Sequence, residues 1–176
     1  MKDAPPDSRY APPQAPVRDI LPGDAAGQQL ASRGRRFLAA MCDIGIELSA
    51  TWLLAEYTPI DLWLDDDASL WSLQAGIACG GFLLFLALHG ALLARRGQTL
   101  GKVLLGIHIA LPNGQSVPLG QLIGLRYAVP ALLNIVPAVG LAFILIDSLF
   151  IFRASRRCLH DSIAGTVVLN GVRARA

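Results

Sequence analysis

Two acids inside an apolar run mark the first place in this sequence where chemistry could occur. Residues 35–57 read RRFLAAMCDIGIELSATWLLAEY, long enough to cross a bilayer, yet they contain Asp43 and Glu47. A carboxylate near the bilayer centre costs at least about 2.5 kcal/mol, so such residues usually face a protein interior or a water-filled path. There they could bind a cation or a proton. The structural alternative is that one or both acids are neutral and only hydrogen-bond the helices together.

Arg36 shares a helix face with these two acids. At about 100° per residue, Arg36, Asp43 and Glu47 lie within about 40° of arc. Asp43 would lie about 9 Å deeper than Phe37, and Glu47 about 15 Å deeper. Because three charged residues on one stripe are unfavourable against lipid, we expect this face to line the interior of a helix bundle.

Two further charges lie in a later apolar region. Arg126 is about 12 Å along a helix from Pro118, and Asp147 is about 7 to 8 Å from Phe152. In a helical hairpin these depths are similar. Since buried charges need partners, the sequence predicts an intramembrane ion pair between Arg126 and Asp147. If that pair forms, the two acids of the first run remain without an intramembrane cation.

The remaining candidate is Asp161, in the segment LHDSIAG after the last apolar run. It is well placed to cap a short helical turn that ends at Gly165. The sequence contains no nucleophile and base pair, P-loop, dinucleotide fingerprint or HExxH motif. We therefore predict that the protein is not an enzyme and binds no cofactor.

The cysteines are equally uninformative about chemistry. They are scattered, with no C-x-x-C spacing and with no histidine expected at ligand distance, which argues against a disulfide framework or a metal site. They lie at Cys42, Cys79 and Cys158.

The composition predicts an all-α integral membrane protein. The chain is 53% hydrophobic and only 16% charged, far more apolar than a soluble domain. Residues 1–32 differ, because they hold six of the eleven prolines and no apolar stretch. They are predicted to be a disordered cytoplasmic tail, and residues 33–176 to be the transmembrane domain. The expected partner is the lipid bilayer, and no nucleic acid is expected.

Apolar runs predict four transmembrane helices, at about residues 37–57, 73–94, 118–134 and 136–152. The last two divide one apolar region, which as a single helix would be about 52 Å long and exceed the bilayer core. Pro137 and Gly140 supply a break between them. Three spans, or a third segment that enters the membrane and returns, remain alternatives.

Basic residues predict the orientation. There is no Lys or Arg between residues 37 and 94, whereas the loop PIDLWLDDD carries four acids. The positive-inside rule places this loop outside, and both termini in the cytoplasm. The three basic clusters are Arg33, Arg35 and Arg36, then Arg95, Arg96 and Lys102, then Arg153, Arg156 and Arg157.

Two short segments predict a small cytoplasmic β element. GIHIALPNGQSVP alternates around Asn113-Gly114, a strong hairpin signal. GTVVLNG is rich in β-branched residues and resembles a strand. A sheet could join the two segments, and irregular loops at the membrane interface are the alternative.

Three motifs together resemble the RDD family of small multi-pass membrane proteins: RRFLAAMCD, GQTLGKVLLGIHI and RRCLHDSIAGTVVL. The resemblance covers about residues 32–170. It implies that the family's arginine and two aspartates are Arg36, Asp43 and Asp161, with Arg35 as an alternative for the arginine. It also implies a role in transport, since some members of the family are linked to sodium/proton exchange.

These observations predict a transport protein of the cytoplasmic membrane that exchanges a monovalent cation against protons. Asp43 would be the principal carboxylate and Glu47 its neighbour, with Arg36 and Asp161 completing the candidate transport residues. Because four short spans make a thin wall, we expect a homo-oligomer. The alternative function is a non-transporting adaptor or scaffold, whose basic inner face recruits a protein partner or anionic lipid.

Overall fold

A computed structural model describes residues 29–58 and 69–171 of the chain. Most of the predicted tail and the acidic loop lie outside these residues. The described elements are the helices α1 (Arg33–Tyr57), α2 (Leu70–Arg96) and α3 (Leu100–Leu104), strand β1 (Ile107–Ala110), helices α4 (Leu119–Leu133), α5 (Pro137–Phe150) and α6 (Leu159–Ile163), and strand β2 (Val167–Asn170).

Two helices are long and apolar enough to cross a membrane, α1 with 25 residues and α2 with 27. The side chains of Ser32 and Ser69 cap them, each accepting a hydrogen bond from a backbone N–H three residues later. Many of their large apolar side chains are exposed, among them Leu48, Trp52 and Leu83. Exposed apolar surface of this extent is typical of a membrane or protein interaction surface.

Helices α4 and α5 are shorter and lie on either side of a turn at residues 134–136. The turn falls in the region where a break was predicted. A Cβ on Gly140 would meet the backbone of Asn134, so the glycine allows α5 to pack closely on the turn. Residues Leu122–Ala128 of α4 are π-helical. The described residues thus contain two helices of membrane length, and the four-span arrangement remains a prediction.

Strands β1 and β2 form a two-stranded antiparallel sheet, with Ile107 opposite Asn170 and Ala110 opposite Val167. A sheet therefore joins the two segments that were predicted to meet. The hairpin prediction, however, is wrong. The turn around Asn113-Gly114 exists, but the residues directly after it lead into α4, and β1 pairs instead with the distant strand β2.

The sheet, α3 and α6 form a compact layer around the first turns of α1, which we call the inner layer. The backbone N–H of Ala31 donates to the carbonyl of Val168 at 2.9 Å. These two residues form a buried cluster with Ala39 and Ile107. The N-terminal part of α1 is thus held within the inner layer, whereas its later turns expose apolar side chains.

Candidate functional site

A buried ion network joins distant parts of the chain at Asp161. This residue is fully buried in the first turn of α6, where its carboxylate accepts the backbone N–H of Cys158 at 3.0 Å. One carboxylate oxygen pairs with Arg36 of α1, and the other pairs with Arg126 of α4. A single carboxylate therefore connects two guanidinium groups from different helices.

Asp161 is ionised in this network and supplies its negative charge. Burial alone raises the pKa of Asp161, but the positive charges around it, Arg126 foremost, outweigh burial and hold that pKa well below its ordinary value. Arg126 also donates to Thr166 Oγ1 at 2.5 Å. Its Nε has no hydrogen-bond partner among the described residues.

The structure corrects the predicted ion pair between Arg126 and Asp147. Arg126 pairs with Asp161, while Asp147 binds His160, whose Nδ1 lies 2.7 Å from Asp147 Oδ2. The backbone N–H of His160 donates to the same carboxylate at 2.8 Å. The predicted pair assumed that both residues lie on regular α-helices at similar depth. Arg126 instead lies in the π-helical segment, where side chains point in directions that differ from those of an α-helix, and Asp161 is the partner that it reaches.

The half-buried His160 should make stability depend on pH. Burial lowers its pKa, and Arg126 adds to that effect, although Asp147 and Asp161 oppose it. Because the folded state has the lower pKa, this stability is fully present above about pH 6.5 and is lost as the pH falls toward the folded value. We expect the midpoint temperature of unfolding in detergent to decrease as the pH is lowered below about 6.5. His160→Gln should make this midpoint less dependent on pH. Equal slopes for both proteins would contradict this.

Asp43 attaches α3 to α1. Its Oδ1 accepts the backbone N–H of Gly101 at 2.7 Å, and its Oδ2 accepts the hydroxyl of Thr99 at 2.5 Å. Lys102 Nζ lies 3.8 Å from the same Oδ2. Both oxygens of this buried carboxylate are thus engaged. These partners lie within the motif GQTLGK, whose sequence alone indicated no contact with Asp43.

Two glycines allow this attachment. A Cβ on Gly101 would collide with the carbonyl oxygen of Ala39 and lie 2.9 Å from Asp43 Oδ1. Gly97 ends α2 with φ +62°, and a Cβ there would lie 2.7 Å from the carbonyl oxygen of Ile109. The glycines of GQTLGK are therefore required by close approach of the backbone.

Glu47 faces His89 of α2. His89 is fully buried, and its Nδ1 accepts the backbone N–H of Leu100 at 3.3 Å. An Nδ1 that accepts a hydrogen bond places the proton of the neutral ring on Nε2. This nitrogen lies 3.6 Å from Glu47 Oε1, longer than a hydrogen bond. The Glu47 side chain is 35% exposed, whereas Arg36 and Asp43, on the same helix face, lie among protein atoms.

The structure brings together Cys158 and His160, which sequence reasoning did not expect to be close. Their ligand atoms and those of Asp147 lie within 4.8 Å of one another. Burial raises the pKa of the Cys158 thiol to about 11, so it is protonated near neutral pH and is a poor metal ligand in that form. The hydrogen bonds between Asp147 and His160 account for the arrangement without an ion.

The model of the RDD family matches residues 30–165, well over half of the chain. The chain belongs to the RDD family. The resemblance of the three motifs is thereby confirmed, and membership together with two membrane-length helices makes this RDD protein a membrane protein. No curated protein and no solved structure matches it.

The three residues carried over from the family signature belong to two separate clusters in this RDD protein. Arg36 and Asp161 pair with each other, whereas Asp43 holds α3. Each cluster attaches part of the inner layer to α1. The three carried-over residues thus have structural contacts here, and Glu47 is a more accessible carboxylate.

Proposed function

We propose that this RDD-family protein is a transporter, not an enzyme, that exchanges a monovalent cation against protons in the cytoplasmic membrane. The proposal is supported by the environment of Glu47, an intramembrane carboxylate. Among the described residues its ionic partner is His89, whose Nε2 lies 3.6 Å from Glu47 Oε1. The Glu47 side chain is partly exposed. A partly dehydrated carboxylate can bind either a cation or a proton, and competition between the two produces exchange.

His89 is the proposed positioning residue. As a neutral ring it directs Nε2–H toward Glu47 while Nδ1 accepts from the first residue of α3. A small displacement of Glu47 toward Nε2 would close a hydrogen bond, and a displacement away would free the carboxylate for a cation. In this proposal His89 also links Glu47 to α3, the element that Asp43 holds.

In this proposal Asp43 is a positioning residue and not the principal cation-binding carboxylate. A transported cation would have to replace the hydrogen bonds that Gly101 and Thr99 donate to it. Breaking buried charge-assisted hydrogen bonds of this kind costs about 1.5 to 3 kcal/mol each. A cation could bind Glu47 without replacing such hydrogen bonds, so Glu47 is a better cation-binding group than Asp43.

The proposal also includes four spans with both termini in the cytoplasm. It further includes a homo-oligomer that surrounds the conducting path. We expect reporter fusions at Asn113 and at the C-terminus to report the cytoplasmic side. A fusion in the acidic loop at residues 59–67 should report the outside. The physical reason is the segregation of Lys and Arg away from that loop. An external C-terminus would contradict the four-span arrangement.

The transport proposal predicts that Glu47→Gln abolishes pH-coupled cation flux, because an amide does not exchange a proton in the working range. The protein should be reconstituted in proteoliposomes at equal density and assayed for sodium, lithium and potassium under an imposed pH gradient. Glu56→Gln is the matched control, since it removes an exposed acid from the same helix and should leave flux unchanged. Well-folded wild-type protein that moves none of these ions would refute cation exchange.

The second candidate function is a non-transporting scaffold that recruits a protein partner or anionic lipid. Two observations favour it: Asp43 and Asp161 are both fully engaged in structural contacts, and basic residues line a pocket beside α1. This reading would replace transport if the flux assay showed no ion movement.

A further inference from the structure

A pocket with a volume of about 590 Å³ lies between α1 and α5. On α1, its lining changes from charged to apolar along the helix. Arg33 and Arg36 come first, and Phe37, Met41 and Ile44 follow. From the first to the last of these residues the helix rises about 16 Å. Charge at one end and apolar surface at the other is the order found along a phospholipid.

The apolar part of the pocket opens onto surface that lipid would cover. Phe37 is 60% exposed, Met41 43% and Ile44 47%. These exposed side chains continue the apolar outer surface of α1. An acyl chain in the pocket would therefore remain in contact with the bilayer, whereas a small soluble anion would leave the apolar walls uncovered.

The pocket is lined by four basic residues, Arg33, Arg36, Lys102 and Arg126, and by one acid, Asp147, so positive charge is in excess. Arg33 donates to the backbone carbonyls of Ile151 and Phe152 at 3.0 and 3.1 Å, contacts that leave its charge without a carboxylate partner among the described residues. Arg36 and Arg126, which also line the pocket, share the single carboxylate of Asp161.

Arg126 adds a second, independent indication of a ligand. The residue is 2% exposed, and its Nε is buried with no hydrogen-bond partner among the described residues. A buried guanidinium N–H without an acceptor is uncommon, because it loses its hydration without compensation. Arg126 lines the pocket, so an oxygen-rich group bound there that reached Nε would supply the missing acceptor.

We propose that this pocket binds an anionic phospholipid, with its headgroup phosphate at the Arg33 end and an acyl chain against Phe37, Met41 and Ile44. The bilayer is the source of the ligand, and the basic residues that line the pocket would attract anionic headgroups to it. The proposal deepens the second candidate function and holds whether or not the protein moves ions.

The test uses the purified full chain in a neutral detergent, titrated with short-chain phosphatidylglycerol. Parallel titrations use phosphatidylcholine of the same chain length, glycerol phosphate and inorganic phosphate. We expect phosphatidylglycerol to bind at least fivefold more tightly than phosphatidylcholine, and more tightly than either free phosphate. Equal affinity for the two lipids would overturn the proposal in favour of an apolar groove. Equal affinity for inorganic phosphate would overturn it in favour of a free-anion site.

Two variants test the location. Arg33→Gln should weaken phosphatidylglycerol binding about fivefold, since one basic residue near anionic lipid contributes about 1 kcal/mol. Ile44→Trp should fill the apolar end and weaken binding without changing any charge. The matched controls are Arg35→Gln and Leu48→Trp, on the same helix but outside the pocket lining.

The pair of variants keeps the test decisive even if Arg33→Gln unfolds, because Ile44→Trp alters no hydrogen bond. Unchanged binding by folded Ile44→Trp, or equal losses in Leu48→Trp, would overturn the proposed location. Loss of ion flux in Glu47→Gln with phosphatidylglycerol binding intact would separate the two functions. Failure of all four titrations would refute the lipid proposal alone.

Discussion

Replacing Asp161 with asparagine is expected to lower the free energy of unfolding by about 3 to 5 kcal/mol, because breaking a buried ion pair leaves an uncompensated charge. Here the loss is shared by two residues, since Arg36 and Arg126 both pair with this fully buried carboxylate. Equilibrium unfolding in mixed micelles measures the change. Glu56→Gln, which removes an exposed acid, should have little effect.

A double-mutant cycle separates the pair from the side chains themselves. Arg126→Gln should also destabilise the protein, and Arg126→Gln with Asp161→Asn should cost less than the sum of the two single changes. Additive effects would show that the residues are not energetically coupled. Because the pKa of Asp161 is lowered in the folded state, its contribution should persist down to its unfolded pKa of about 3.9 and be lost only below it.

Asp43→Asn is expected to cost about 2 to 3 kcal/mol, since both of its hydrogen bonds lose the negative charge that strengthens them. The amide oxygen can accept from the N–H of Gly101, and the NH₂ group can face Thr99, whose hydroxyl then accepts instead of donating. The same unfolding measurement in micelles applies. Thr99→Val, which removes one of the two bonds and preserves shape, should cost about 1.5 to 3 kcal/mol.

The flux assay gives this variant a second use. Asp43→Asn protein that remains folded should retain ion movement, because Asp43 positions α3 and does not bind the cation in our proposal. Loss of flux in a well-folded Asp43→Asn protein would return the principal carboxylate to Asp43. A change in stability of less than about 0.5 kcal/mol would contradict its structural role.

Regular spacing within one helix made part of the site predictable. The separation of Arg36, Asp43 and Glu47 places them on one face whatever the rest of the chain does, and the structure directs Arg36 and Asp43 of that face into the protein. The helix break near Pro137 followed in the same way from a residue that lacks a backbone donor. Such local rules need no knowledge of tertiary contacts.

Contacts between distant segments were not predictable in this way. Equal depth suggested Asp147 as the partner of Arg126, but depth does not specify direction, and the π-helical segment changes the direction. The hairpin signal at Asn113-Gly114 correctly predicted a turn, yet the pairing of β1 depended on a strand more than fifty residues later. Partner choice rests on packing that a single sequence does not display.

The separation of Arg36 from Asp161, 125 residues along the chain, has a consequence for biosynthesis. At about 5 to 20 residues per second, a ribosome adds Asp161 about 6 to 25 seconds after Arg36. Until then, Arg36 lacks the carboxylate that pairs with it, and so does Arg126 once it has been made. Chains that terminate before Asp161 therefore leave Arg36 without this carboxylate, even though α1 and α2 are already made.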